Sequence, residues 1–298
     1  MTERRKDEGG GSEFRRVSEE LRVRMADGGY PLRSFLPSQN ALAEEFGVSR
    51  DTVQRVLREL RSEGWIESRQ GQGSRVVRSQ RIQSSAPRAT RSRHPMTLGP
   101  LIGEAFEQPE VTLDIYTLTS ESLDAHIRVQ TERIRAGAIS PERIALRMVL
   151  PSEQLELPYP RAKGDGEDPR LRARVRATTE RHTASLKMVL GQLRTEKLVE
   201  NVQLQVRHAP LAPAFKLYVI NTAEVLHGPY IPIERPLMLD DGEEIEAVDV
   251  LGLGATLTHH VRDHHADSPG SVFVDSMTAW FEAVWNLLTE EAQAAQEV

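Results

Sequence analysis

Glycines at positions 28, 29, 47 and 64 cut the first part of the chain into pieces that are short helices or a hairpin, and apolar spacing says which. Val17, Leu21 and Met25 recur at i, i+4 and i+8, an apolar stripe on a first helix that begins near Phe14. Gly28 and Gly29 end it, because glycine tolerates the left-handed conformation of a helix C-terminus. Ser38, after Leu36-Pro37, can cap a second, short helix carrying Leu42, Ala43 and Phe46, which Gly47 stops. Ser49 is the expected N-cap of a third helix reaching about Glu63 and burying Val53, Val56, Leu57 and Leu60. Helix, glycine turn and capped helix is the grammar of a helix-turn-helix. After Gly64, two strand-like pieces, Trp65 to Ser68 and Ser74 to Val77, flank Gln70-Gly71-Gln72-Gly73, which predicts a hairpin, or wing, with glycines at its tip.

A chain of 298 residues exceeds the usual size of one core, so two domains are expected. Residues 1–94 hold 19 Lys and Arg against 13 Asp and Glu, whereas residues 95–298 hold 19 against 31. The net charge of -6 therefore hides a basic N-terminal part, the part suited to a polyanion. No acidic residue lies between Glu67 and Glu104, while seven arginines, from Arg69 to Arg93, fall there. No apolar run is long enough to span a membrane and MTERRKDEGGGSEF lacks the apolar core of a signal peptide, so a soluble, cytoplasmic protein without a membrane partner is expected. The absence of cysteine excludes disulfides, thiolate zinc sites and cysteine nucleophiles together.

The expected organisation is a disordered leader at 1–12, a winged helix-turn-helix at 13–78, a basic linker rich in Ser, Arg, Pro and Gln at 79–97, and an α/β domain at 98–298 that binds an effector and holds the oligomer together. The fold class is α+β multidomain. In the second domain Val111 to Thr117 and Arg143 to Leu150 are strand-like, with a helical pattern over 122–136 between them. A Pro, Gly and charge-rich loop at 154–168 precedes one long helix or two over 169–198. Strands are expected at 202–207, 215–220 and 246–251, and a last helix at 272–295 with Met277, Phe281, Val284, Trp285 and Leu288. Alternating strands and helices imply a sheet covered by helices.

Leu36-Pro37-Ser38, Leu42-Ala43, Gly47-Val48-Ser49-Arg50, Thr52-Val53, Leu60, Gly64-Trp65 and the Gly71-x-Gly73 wing together resemble the GntR family of bacterial transcription factors over residues 13 to 77. Asn40 and Gln54 depart from the family pattern, which often carries Arg at both positions. The resemblance implies that the third helix enters the major groove, where Ser49, Arg50, Thr52 and Gln54 meet base edges. Arg50 suits guanine and Gln54 suits adenine. Ser38, Gln39 and Asn40 on the second helix, and Gly71 and Gln72 at the wing tip, are further DNA-facing candidates. Arg33, Arg55, Arg69 and Arg75 are placed as phosphate anchors.

Among the C-terminal halves that accompany such domains, an all-helical metal-binding one does not fit the strand-like segments beyond residue 110, and an aminotransferase-like one would need a longer chain. A small antiparallel ligand domain remains an alternative, although it is shorter than what is present. The stretches 114–150 and 202–234 are similar to phospholipase D-like domains that serve as sensors, but no His has a Lys two residues on, so the catalytic H-x-K-x4-D pattern is absent. Arg147, Arg207, His208, Lys216, Asn221 and Tyr230 lie around the strand-like segments and would suit an anionic or phosphorylated effector, structural ion pairs being the alternative. His260 and His264 would share a helix face at i, i+4, yet Asp267-Ser268-Pro269-Gly270 marks a surface loop, and no metal or other cofactor is assigned.

The function expected from these features is a sequence-specific DNA-binding regulator, a repressor by default, which binds an inverted-repeat operator as a homodimer and responds to a small-molecule effector. It is not expected to be an enzyme. The alternatives are an enzyme of phospholipase D-like fold with an accessory DNA-binding module, and a constitutive DNA-binding scaffold.

Overall fold

The computed structural model describes residues 13–77, 82–84, 98–164, 168–239, 243–251 and 256–289, apart from residues 15, 19, 23, 26–28, 32, 63–64 and 70–72. The described residues fall into two compact units, one within 1–79 and 235–246, the other within 80–234 and 247–298. The protein is an α+β multidomain protein.

In the first unit the described residues between 13 and 25 are helical and form α1, with Val17, Leu21 and Met25 buried as their spacing predicts. Helix α2 (Gln39–Phe46) and helix α3 (Arg50–Ser62) follow. Strands β1 (Ile66–Arg69) and β2 (Gly73–Val76) form an antiparallel hairpin in the register Ile66↔Val76. Leu42, Val53, Leu60, Trp65 and Ile66 are buried, so the helices and the hairpin share one core.

The second unit is built on a seven-stranded mixed sheet. Its first strand, β3 (Ile82–Ser84), pairs in parallel with β12 (Leu257–Val261), at the edge of the sheet. This corrects the expectation of an irregular linker throughout 79–97: Ile-Gln-Ser carries no periodicity, but an edge strand needs only backbone groups to pair. Helix α4 (Leu98–Phe106), strand β4 (Glu110–Tyr116), helix α5 (Glu121–Arg135) and strand β5 (Arg143–Pro151) lead to the short β6 (Arg161–Ala162) and the long α6 (Pro169–Thr195). Strands β7 (Asn201–Ala209), β8 (Phe215–Ile220), β9 (Glu224–Pro229), β10 (Ile231–Met238) and β11 (Glu244–Leu251) precede β12 and the last described helix, α7 (Pro269–Leu287).

The strand order is β3-β12-β9-β8-β4-β5-β7. Neighbours β4, β5 and β7 are parallel and are joined by the crossover helices α5 and α6, whereas β4, β8, β9 and β12 are antiparallel to one another in turn. Side-chain alternation gives the sheet two apolar faces. Ile144, Leu146 and Met148 of β5 pack with α4, α5 and α6 residues such as Ile102, Ile127 and Leu190, while Val149 joins Phe281, Val284 and Trp285 of α7 on the other face. A smaller sheet of order β10-β11-β6 pairs β11 antiparallel to β6.

Gly228 marks a close approach between β9 and the start of β12. A Cβ there would lie 2.7 Å from the carbonyl oxygen of Thr256, a backbone atom that cannot swing aside. Gly228→Ala is expected to destabilise the protein by about 1–3 kcal/mol, the usual range for overpacking, and to lower its melting temperature. An unchanged melting curve would show that the two strands separate freely.

Strand β12 also corrects the expectation for the histidine-rich segment. His259 lies on the strand and its Nε2 is 2.6 Å from Oε2 of Glu224, while His260 stacks on the ring of Phe273 at 3.9 Å between centroids. Strand geometry sends these side chains to opposite sides, and His264 lies beyond the strand, so His260 and His264 share no helix face.

Candidate nucleic-acid interface and ligand cavity

Helix α2 begins where the sequence predicts. The Ser38 hydroxyl accepts from the Ala41 N–H at 3.2 Å, satisfying one of the amides that a helix N-terminus leaves unpaired. Gly47 ends the helix in the left-handed region at φ 63, where a Cβ is disfavoured. Arg16 of α1 donates to the carbonyl of Phe46 at 2.6 Å, which places a cation on the exposed end of α2. Helix α3 then starts with Ser49, whose hydroxyl accepts from the Thr52 N–H at 3.1 Å.

The buried face of α3 carries Val53, Val56, Leu57 and Leu60. The opposite face presents Arg50, Asp51, Gln54 and Arg55 to solvent, a polar strip one turn apart at Arg50 and Gln54. Arg50 Nε lies 3.4 Å from Oε1 of Gln39, a link between the starts of α2 and α3. Arg55 places its guanidinium 5.2 Å from the ring centroid of Phe14. Asn40 is exposed on α2. Thr52 differs from the other candidates: it is 6 % exposed and its hydroxyl meets that of Ser49 at 2.9 Å. Its place is in the helix cap rather than on the solvent face, because position 52 adjoins the buried stripe begun by Val53.

The wing gains a third chain segment. Leu36 N–H donates to the Ser74 carbonyl at 2.8 Å and Val76 N–H to the Ser34 carbonyl at 2.9 Å, so the segment before α2 adds to the edge of β2. Arg33 adopts φ 71, and its carbonyl accepts from Nε of Arg75 at 2.9 Å. The Arg75 guanidinium lies 6.0 Å from the ring centroid of Phe35, a residue 57 % exposed. Phe35 was not among the residues singled out in the sequence, although an aromatic ring just before Leu36-Pro37-Ser38 was the available signal. The Arg69 side chain, Gly71 and Gln72 lie outside the described residues.

The six residues expected around an effector do not converge. Arg147 makes a two-pronged contact with Asp114, at 2.6 and 2.8 Å, and reaches Glu282 of α7 at 2.5 Å. These carboxylates raise the guanidinium pKa further, and Arg147 in turn holds Glu282 below the ordinary carboxylate range. Arg207 lies 4.3 Å from the ring centroid of Trp285 and donates to that residue's carbonyl at 3.2 Å. Asn221 accepts from the Thr112 N–H at 2.8 Å through its side-chain oxygen. The Tyr230 hydroxyl accepts from the Leu118 N–H at 2.8 Å and meets Thr117 Oγ1 at 3.0 Å, and burial pushes its pKa up. Lys216 is buried with its Nζ 5.6 Å from the Tyr230 ring centroid, and it contributes, after burial itself, to lowering His126 to about 4.

His208 alone of the six lines the cavity of about 590 Å³ in this unit. That cavity lies at the C-terminal ends of β5 and β7, beneath α6 between Pro169 and Lys187 and the loop that follows β5. Leu150, Val206, Leu155, Leu157 and Tyr159 supply apolar walls, while Arg172, Arg176 and Lys187 line it from α6. Those three were missed in the sequence; the available signal was the i, i+4 spacing of Arg172 and Arg176 within the segment expected to be helical.

A family model described as bacterial regulatory proteins, gntR family, matches residues 14–76. The chain is similar to an HTH-type transcriptional regulator of Rhizobium meliloti (strain 1021), 35 % identical over 78 residues that cover 26 % of this chain and 32 % of that protein. It is 38 % identical over 71 residues to the Glc operon transcriptional activator of Escherichia coli (strain K12), covering 24 % of this chain and 28 % of the activator. The mannosyl-D-glycerate transport/metabolism system repressor of the same organism is 38 % identical over 69 residues, or 23 % of this chain and 28 % of the repressor. The chain thus spans about a third or less of the length of these relatives. The N-terminal domain of AraR, solved in complex with mutant ORR3, is 32 % identical, with 22 % of this chain and 93 % of that chain covered and a TM-score of 0.22. Residues 14–76 are a helix-turn-helix domain of the bacterial gntR family.

Proposed function

We propose that this chain is a sequence-specific DNA-binding transcriptional regulator, acting as a homodimer on an inverted-repeat operator and repressing by occupying it. Residues 13–78 read the DNA, 79–97 join the two parts, and 98–298 bind the effector and hold the subunits together. The observation that carries this reading is the solvent-facing strip Arg50, Gln54 and Arg55 on α3, within a domain matched to a family of regulators. The guanidinium and the carboxamide are the groups that make two-pronged contacts to guanine and adenine in the major groove. Two copies of α3 about one helical turn of DNA apart would read the two halves of the operator. Among the described residues no helix is long and apolar enough to cross a membrane, and the reading places the protein in the cytoplasm with its DNA.

The effector site in this reading is the cavity beneath α6, a place where parallel strands end and α/β sheets commonly hold ligands. Coupling is reciprocal: an effector that weakens DNA binding is itself weakened by DNA, by the same factor. The test is binding of the purified protein to the DNA upstream of its own gene, at two salt concentrations, with and without a metabolite extract. Selective, salt-dependent binding that the extract shifts supports the regulator. Selective binding without a shift makes it a constitutive scaffold, and weak binding equal on unrelated DNA removes the reading.

A further inference from the structure

We infer that the cavity beneath α6 binds an organic anion with an aliphatic or otherwise apolar body, its charged group held by Arg172, Arg176 and Lys187. This deepens the effector reading above and rests on it for any consequence at the DNA. Helix α6 packs against the sheet in two ways along its length. Toward its C-terminus Leu186, Val189, Leu190 and Leu193 are buried in the core. Between Pro169 and Lys187 another side of the helix lines the cavity, where the short Ala173, Thr179, Thr183 and Ala184 alternate with the longer Arg172, Arg176, Glu180 and Lys187. Protein interiors are otherwise close-packed, and about 590 Å³ falls within the range of small-molecule sites.

Chemistry differs between the walls. Leu118, Leu150, Leu155, Leu157 and Val206 offer a surface that rewards an apolar body at about 25 cal/mol per Å² removed from water. From α6 the cavity is lined by the cations Arg172, Arg176 and Lys187 together with Glu180, and His208 of β7 and Glu153 of the loop after β5 also line it. Arg176 and Glu153 are 3.8 Å apart, with side chains 56 % and 60 % exposed, a pair of little strength that a ligand anion can replace. The positive end of the helix is not the attraction, because the Asp168 carboxylate already accepts from the Arg170 N–H at 2.9 Å there. The anion is recognised by side chains from the second turn of α6 onward, and a planar guanidinium suits a carboxylate or a phosphate ester equally.

The experiment is calorimetric titration of the full chain with decanoate and, separately, with decyltrimethylammonium, which keeps the chain length and reverses the charge. Decanoate is expected to bind and the ammonium compound to bind at least tenfold more weakly. Arg172→Glu with Arg176→Glu should invert that preference, and Ala184→Trp, which fills the space, should abolish decanoate binding. Equal binding of the two probes, or decanoate binding unchanged in Ala184→Trp, overturns the assignment, and the comparison of probes needs no variant to fold. DNA titration with decanoate present separates the two readings. Decanoate that binds without shifting operator affinity leaves the site and removes the effector role, whereas an extract that shifts the operator when decanoate does not bind removes the assignment of an apolar anion alone.

Discussion

Gln54→Ala is expected to raise the Kd for the operator about 5- to 150-fold, the equivalent of the roughly 1–3 kcal/mol that one good two-pronged base contact contributes, and Arg50→Ala should do the same. Both side chains leave α3 on its solvent face one helical turn apart, and neither belongs to the core. Their loss should therefore leave the melting temperature unchanged while relaxing preference at one operator position each. Arg55→Ala and Arg75→Ala should behave differently, weakening every sequence alike and lowering the salt dependence by about one ion per residue removed. Thr52→Ala provides the contrast, since a buried hydroxyl joined to Ser49 reports on helix capping, at about 1 kcal/mol of stability, and not on base identity. Competition titrations at fixed salt, against operators changed one base pair at a time, measure each of these. If Gln54→Ala weakens operator and unrelated DNA by the same factor, Gln54 reads no base and the orientation of α3 in the groove must be revised.

The helix-turn-helix unit was legible because its elements are short and each end carries its own chemistry. Ser38 and Ser49 accept the amide hydrogen bonds their position predicts, and Gly47 takes the left-handed conformation that ends α2. The second unit was legible where burial produces a clean pattern, as at Arg143–Pro151, and illegible where a residue type points the wrong way. Helix α4 was not anticipated, because Gly99, Pro100 and Gly103 are poor helix formers, although Pro100 sits harmlessly in the first turn. Strand β10 contains Pro232 and Pro236, which demote a strand on paper. The cavity was invisible for a different reason. Its cations stand on one helix, but its apolar walls come from residues between Leu118 and His208, and no local pattern marks the small residues of α6 as facing an open space. The same lack of long-range information hid the ion pairs of Arg147, whose two partners lie 33 and 135 residues away in the chain.

Arg147→Ala is expected to cost about 3 kcal/mol, at the lower end for removing one member of a buried charge pair because Arg147 keeps some exposure. Asp114 is 7 % exposed and would lose the fork that compensates its charge, and Phe281 and Trp285 would lose the guanidinium that lies 5.2 and 5.4 Å from their ring centroids. Arg147→Met should cost a similar amount, since it restores some packing but no charge, while Arg147→Met with Asp114→Asn should recover part of the loss, because the two sites share one interaction. The pH dependence fixes the sign. Glu282 is held below its ordinary range by Arg147, so its contribution is complete above its unfolded pKa and fades as pH falls through the lower folded value. Denaturant titrations should therefore show the gap between wild type and Arg147→Met narrowing on the acid side of neutrality, from about pH 4 downward, where carboxylates take up protons. A gap that stays constant into acid would place the stabilisation in the aromatic packing around Arg147 instead of in the carboxylates. Either result separates a scaffold role from an effector role, because a residue that grips a ligand would change ligand response while the stability of the unliganded protein stayed where it was.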